Sequence, residues 1–190
     1  MRFRQPAAAV LFMLTVAGCA SAPPDAESFP AQAPLCAPGV ALGKVAIVPL
    51  TRWRPDQKEP EVREAIAQKA VANLASEIPC ASSVNVLSIA EDSMSADMLA
   101  KARADGAKTA LLIRIEELGP IATLSFPALW STWGDVKFTL DAIDVQTGAS
   151  LRSIPHRRQK GGAFEARGLE PLQGEMEAAL RDVILGAAGK

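Results

Sequence analysis

The chain has one histidine, three cysteines and no tyrosine, and the first two scarcities narrow what it does. His156 lies in "HRRQK", where Arg157, Arg158 and Lys160 depress its pKa by proximity. As the base of a catalytic triad it needs a nucleophile and a carboxylate, and no motif here supplies them. One histidine also cannot complete a tetrahedral zinc set with the cysteines. A phosphate-binding loop is missing too: Gly161-Gly162 is not followed by Lys-Ser/Thr. Glu116-Glu117 and Asp141 with Asp144 fit strand ends and turns better than a catalytic acid pair. The expectation is a protein that is not an enzyme, with no cofactor and no metal.

Charge excess is absent as well. Twenty Lys and Arg stand against 21 Asp and Glu, and general nucleic-acid affinity needs a clear basic surplus. Nor is there an apolar run of about 20 residues, the length a permanent membrane-spanning helix requires.

The start of the chain does have a shorter one. Arg2 and Arg4 form a basic n-region, and Ala7 to Val16 an apolar h-region, followed by the small residues Ala17 and Gly18. This is the plan of a secretory signal. Pro23 and Pro24 follow directly, so the helix does not continue. Val16-Ala17-Gly18-Cys19 resembles the lipobox of bacterial lipoproteins, in which the cysteine becomes the first mature residue. The resemblance implies a diacylglycerol on the Cys19 thiol and an acyl chain on its new amino group. Two or more chains give stable anchoring, whereas a single one binds reversibly. Ala20 occupies the place where lipoproteins kept at the inner membrane typically carry Asp, which implies sorting to the outer membrane.

Removing Arg2 and Arg4 leaves 18 basic against 21 acidic residues, a formal charge of −3. With Cys19 acylated, the remaining thiols are Cys36 and Cys80. In a disulfide-permissive periplasm an even pair reads as a bridge, two free thiols being the other reading. Such a bridge closes a loop of more than 40 residues and stabilises by about 3–4 kcal/mol.

Three segments follow: a signal peptide over 1–18, the lipidated cysteine and a Pro/Ala-rich tether over 19–43, and a single α/β domain over 44–186. Proline-rich tethers are extended and semi-rigid. Residues 20–35 reach about 55 Å at most, which favours a role close to the membrane.

Within the domain, "KVAIVPL" (Lys44 to Leu50) is a short apolar run, the mark of a strand buried on both faces. Glu61 to Ile78 reads as a helix with Val62, Ile66, Ala70, Leu74 and Ile78 inward, and Arg63 among the outward residues. "SVNVLSI" (Ser83 to Ile89) is a second strand. Ser95 to Asp105 is a shorter helix, Ser95 fitting an N-cap and Gly106 a stop. "KTALLIRIEEL" (Lys108 to Leu118) is a third strand. "DVKFTLDAIDV" and "GASLRSI" form a strand pair joined by Asp-x-x-Thr-Gly turn chemistry. Glu170 to Leu185 is a terminal helix with Leu172, Met176, Leu180, Val183 and Ile184 as its stripe. The predicted order is β-α-β-α-β-β-β-α, a mixed α/β (α+β) sheet in two or three layers with helices packed on it.

Two stretches fit neither period. Gly119 to Gly134 has two prolines and two tryptophans, and Phe126, Leu129, Trp130 and Trp133 crowd it. They are candidates for partner or membrane contact, since tryptophan favours both settings; folding back as a satellite core or an extra strand is the other reading. "PHRRQKGG" (Pro155 to Gly162) is basic, and Arg157, Arg158 and Lys160 are candidates for anionic contact, a solvated loop being the alternative.

Behind its lipobox, this order is similar to a group of outer-membrane lipoprotein domains. The group includes the curli secretion-channel subunit, the lipoprotein ring component of Pel polysaccharide export, lipoprotein activators of penicillin-binding proteins, and the N-terminal domain of the Tol-system propeller protein. "GKVAIVPL", the long helix behind it, "LAKARADGAKTALLIRIEEL" and the Asp-x-x-Thr-Gly strand pair carry the similarity, over about 44–186. It implies a non-catalytic periplasmic domain anchored to outer-membrane lipid. That domain serves as a structural or assembly subunit of an envelope export or secretion complex, by self-assembly or with an envelope protein partner. A regulatory lipoprotein that activates a peptidoglycan synthase is the alternative.

Overall fold

The computed structural model describes residues 29, 32–88, 96–123, 131–163 and 165–186. Eight elements follow one another: β1 (Gly43–Thr51), α1 (Pro60–Ala75), β2 (Ala81–Val86), α2 (Ala96–Ala104), β3 (Thr109–Thr123), β4 (Ser131–Asp144), β5 (Ser150–Ala163) and α3 (Leu172–Leu185). This is the predicted order.

The strands form one mixed sheet in the order β2-β1-β3-β4-β5. β1 is parallel to both β2 and β3, while β3–β4 and β4–β5 are antiparallel. The crossover through α1 steps from β1 outward to β2, and the one through α2 steps back over β1 to β3. Opposite steps of a common hand place their helices on opposite faces. β1 is accordingly buried on both sides, with Val45, Ala46, Ile47 and Val48 all inaccessible.

Alternation along the strands divides the interior in two. Val45, Ile47, Leu111, Ile113, Ile115, Val136, Phe138 and Leu140 face α1 and α3 in the main core. Ala46, Ala110 and Val145 meet Ala102 and Ala107 of the α2 region, and Val48 and Leu50 meet Met98. Small residues there let α2 lie close to the sheet. Its end is a Schellman-type stop: Ala107 N–H donates to the Ala102 carbonyl and Gly106 N–H to that of Arg103, both at 2.9 Å, with Gly106 at φ 74°.

The stripe of α3 is buried as predicted, Leu172, Met176, Leu180, Val183 and Ile184 included. The stripe expected over 61–78 holds at Ala70, Leu74 and Ile78, with Ile66 packed against the core, and departs from expectation at Val62 and Arg63 in the first turn of α1. Arg63, Ala67, Ala70, Val71 and Leu74 are its buried residues, and Val62 is exposed. Small side chains at Ala67 and Ala70 let α1 approach its neighbours, which outweighs burying the larger Val62. The two helices lie side by side, joined by Asn73 to Glu177 at 2.7 Å and by Arg181 to Glu77 at 2.7 Å.

The described parts of the irregular stretches are strand. Gly119–Thr123 of β3 pairs with Ser131–Asp135 of β4, and Pro155–Ala163 of β5 completes a three-stranded extension. β1 ends at Thr51, opposite Ile115, so the extension stands clear of β1. The expected second strand runs from Ala81 to Val86, while Ile89 and the Ser95 cap lie outside the described residues.

Candidate functional site

At the end of the sheet where the parallel strands begin, the segment before β1 is docked as a strap. A helix leaves its last carbonyls without intrahelical donors, and the strap supplies two. Leu35 N–H donates to the Val183 carbonyl and Cys36 N–H to that of Ile184, both at 2.9 Å. The Leu35 side chain enters the main core. Arg152 of β5 grips the Pro34 carbonyl at 2.9 Å and that of Ala33. Cys36 and Cys80 form a disulfide with Cα atoms 5.3 Å apart, 44 residues apart in sequence. The strap thus starts at Ala33, and the chain before it, residues 20–32, reaches about 45 Å at full extension. Cys19 lies outside the described residues.

The predicted basic contacts lie on β5, where alternation sends them to opposite faces. Arg157 meets Asp135 in a two-pronged pair, Nε–Oδ1 3.1 Å and Nη2–Oδ2 2.6 Å, with the carboxylate side chain 1% exposed. Gln159 adds a donor to the same carboxylate at 3.3 Å. Arg158 points toward α3 and pairs with Asp182 at 2.5 Å. Lys160 is exposed. Strand pairing thus gives both arginines partners within the fold and leaves the Lys160 side chain facing solvent.

His156 stands opposite Phe138, ring centroids 5.4 Å apart. Burial pushes its pKa below the usual value, Asp182 opposes this, and Arg158 adds to it. The depression expected from neighbouring cations is present, with desolvation as the larger cause.

Trp133 is half-buried on β4, two residues from Asp135 and so on the same face. Phe126, Leu129 and Trp130 lie outside the described residues. Trp133 pairs with Ile121 on one side and Gly161 on the other. Gly161 cannot be replaced there: its φ is 147°, and a Cβ would overlap the Thr132 carbonyl and lie 2.9 Å from the Trp133 Cα. Trp133 therefore sits at the opposite end from the strap, about 30 Å along β5 from Arg152.

The uncovered side of β3 above β1 is closed by the loop between β1 and α1. Arg52 N–H donates to the Ile115 carbonyl at 2.8 Å, and Gln57 Nε2 to Glu117 at 2.7 Å. Arg63, expected outward, is buried: its guanidinium takes the Leu118 carbonyl and, at 2.7 Å, that of Lys58. The group lies on Gly119, where any Cβ would collide with it. Arg54, Lys58, Arg63, Glu117 and Ile121 line a cleft of about 640 Å³. Desolvation pushes the Glu117 carboxyl above the usual glutamate value, against the attraction of Arg54 3.2 Å away.

Asp135 and Arg63 were not legible as structural charges. Counting outward from the Asp144–Gly148 turn sets Arg158 opposite Asp135, and the bulge between Ala142 and Ile143 shifts the register by one to Gln159. A buried arginine on α1 left only the weaker signal of alanines at 67 and 70.

Among the described residues no helix is long and apolar enough to cross a membrane. No cluster of three or more His, Cys, Asp or Glu there is arranged to hold a metal ion.

No protein-family model matches the chain, and no curated protein matches it. Solved structures do. A singly substituted form of the PelC dodecamer from Paraburkholderia phytofirmans is similar at 21% identity and a TM-score of 0.50, covering 78% of this chain and 90% of that one. Lipoprotein GNA1162 from Neisseria meningitidis is 17% identical, with a TM-score of 0.47 over 76% of this chain and 99% of that one. The LpoB C-terminal domain from Salmonella enterica is 16% identical, with a TM-score of 0.42 over 66% and 90%. At these identities the likeness concerns the fold: this chain has the α/β fold seen in PelC.

Proposed function

We propose that this protein is a lipid-anchored, non-catalytic assembly subunit of a cell-envelope export or secretion complex. It works on the periplasmic face of the outer membrane, and its partners are further copies of itself. One observation carries the reading: among the described residues no further strand pairs with either edge of the sheet, and each edge carries an exposed apolar side chain, Val86 on β2 at 38% and Leu151 on β5 at 57%. Exposed edge strands are sites where chains associate unless they are covered. The name of the PelC structure, a dodecamer, agrees with such use of the fold. The signal-like start with Cys19 and the docked strap supply the anchor, a leash of about 45 Å that lets either end of the domain approach the lipid.

Labelling with an alkynyl palmitate, followed by membrane fractionation and crosslinking in intact cells, tests this. The expected result is a labelled outer-membrane protein that crosslinks into multiples of its own mass, with label lost in Cys19→Ser. A soluble, unlabelled protein would overturn the anchor. A labelled protein crosslinked only one-to-one to a different protein would replace assembly with the regulatory alternative.

A further inference from the structure

The two edges of the sheet correspond to each other level by level. Ile47 of β1 pairs with Val86 on one side and with Leu111 on the other. Leu111 pairs with Ala142, and Ala142 with Arg152. Leu151, next to Arg152, therefore shares a line across the sheet with Val86. Both belong to the exposed large apolar residues of the described chain.

A second line lies higher. The grip of Arg63 on the Leu118 carbonyl, over Gly119, fixes the first turn of α1 at that level. Glu61, two residues earlier, is exposed and lines a cleft of about 380 Å³ with Leu50, Trp53 and Glu64. The charged residues lining that cleft are glutamates, and the Glu64 carboxylate is already held by Thr51 and Gln68. Across the sheet, Gly119 pairs with Asp135 and Asp135 with Gln159. Exposed Lys160 follows directly. One edge thus reads apolar below and acidic above, the other apolar below and basic above.

We infer that neighbouring copies of this chain meet head to tail, the β5 edge of one against the β2–α1 edge of the next, with Leu151 on Val86 and Lys160 on Glu61. The inference rests on the assembly reading above and names its surfaces. Rotation about an axis along the strands brings the edges together without a shift, so both lines match at once. Two β2 edges or two β5 edges related by an axis along the strands would set like charges opposite each other, and an axis perpendicular to the sheet would set the charged level of one copy against the apolar level of the other. A head-to-tail contact is heterologous and closes into a ring when its rotation divides the circle.

Charge reversal tests it. The mass distribution of the purified chain in detergent is measured by sedimentation velocity for wild type, Glu61→Lys, Lys160→Glu and the double variant. Both side chains are exposed, and equal melting temperatures confirm intact folding. Each single reversal is expected to raise the dissociation constant at least about tenfold, and the double variant to regain most of the assembly. Wild-type assembly from either single variant, or a double variant no better than the singles, overturns this interface while leaving self-assembly standing. A wild type that is monomeric at every concentration overturns the assembly reading and the interface with it.

Discussion

Arg157 and Asp135 hold each other in a two-pronged ion pair across β4 and β5, Nη2 to Oδ2 at 2.6 Å, with side chains 11% and 1% exposed. Breaking a buried pair leaves an uncompensated charge, which typically costs about 3–5 kcal/mol. Asp135→Ala should lose stability of that order in urea unfolding. Arg158→Ala should lose no more than about 1 kcal/mol, because its pair with Asp182 is 40% and 30% exposed. Equal losses would contradict the assignment of the two faces.

The strap gives a second prediction. Replacing Cys36 and Cys80 together with serine frees a long loop in the unfolded chain and should lower stability by about 2–4 kcal/mol. Native-state hydrogen exchange should quicken first at Leu35 and Cys36, whose amides cap α3. Unchanged exchange there would mean the strap holds without its bridge.

Gly119 and Arg63 should prove coupled. Gly119→Ala puts a methyl group where the guanidinium lies, an overpacking that costs about 1–3 kcal/mol. With Arg63 already replaced by alanine, the same change should cost much less, since contacting residues are non-additive. A double-mutant cycle measures this; simple additivity would remove Arg63 from Gly119.

Two titratable groups, Glu117 buried and His156 half-buried, predict opposite pH behaviour. The Glu117 carboxyl is raised above 4.5 by desolvation, against the pull of Arg54. The folded state therefore keeps a proton that the unfolded chain has lost, and ionisation opposes folding above that range. Glu117→Gln should be more stable than wild type at pH 7, with the difference vanishing below about pH 4.5. His156 is lowered from 6.5, burial leading, so the unfolded chain binds its proton first. Stability should fall as pH drops from about 6.5 through the folded-state value, and His156→Gln should flatten that fall. Denaturant midpoints from about pH 4 to 8 check both.

Much of this fold was legible because apolar pattern and burial agree. The β1 run is buried on both faces, the α3 stripe faces the core, and Asp144 caps its turn through Thr147 N–H at 2.7 Å. The pattern failed where strands bury charge in place of apolar side chains. β5 reads as a basic loop because its alternation is Arg157 toward Asp135 and Arg158 toward Asp182. Gly119, Gly134 and Gly161 read as breaks, yet they serve an extension where the Arg63 guanidinium, the Glu175 carboxylate and a neighbouring backbone, respectively, come too close for a Cβ. In α1 only the first turn was misread, with Arg63 buried where it reaches the Leu118 carbonyl and Val62 exposed. The candidate surface was legible only in part: Lys160 stood out, whereas Glu61 acquired meaning from the level that Arg63 fixes.

Self-assembly is the central claim, and the mass of the purified chain in detergent tests it most directly. Sedimentation velocity over a concentration series should show one discrete multimer replacing the monomer as concentration rises. A single monomeric species from nanomolar to micromolar concentration would contradict the account.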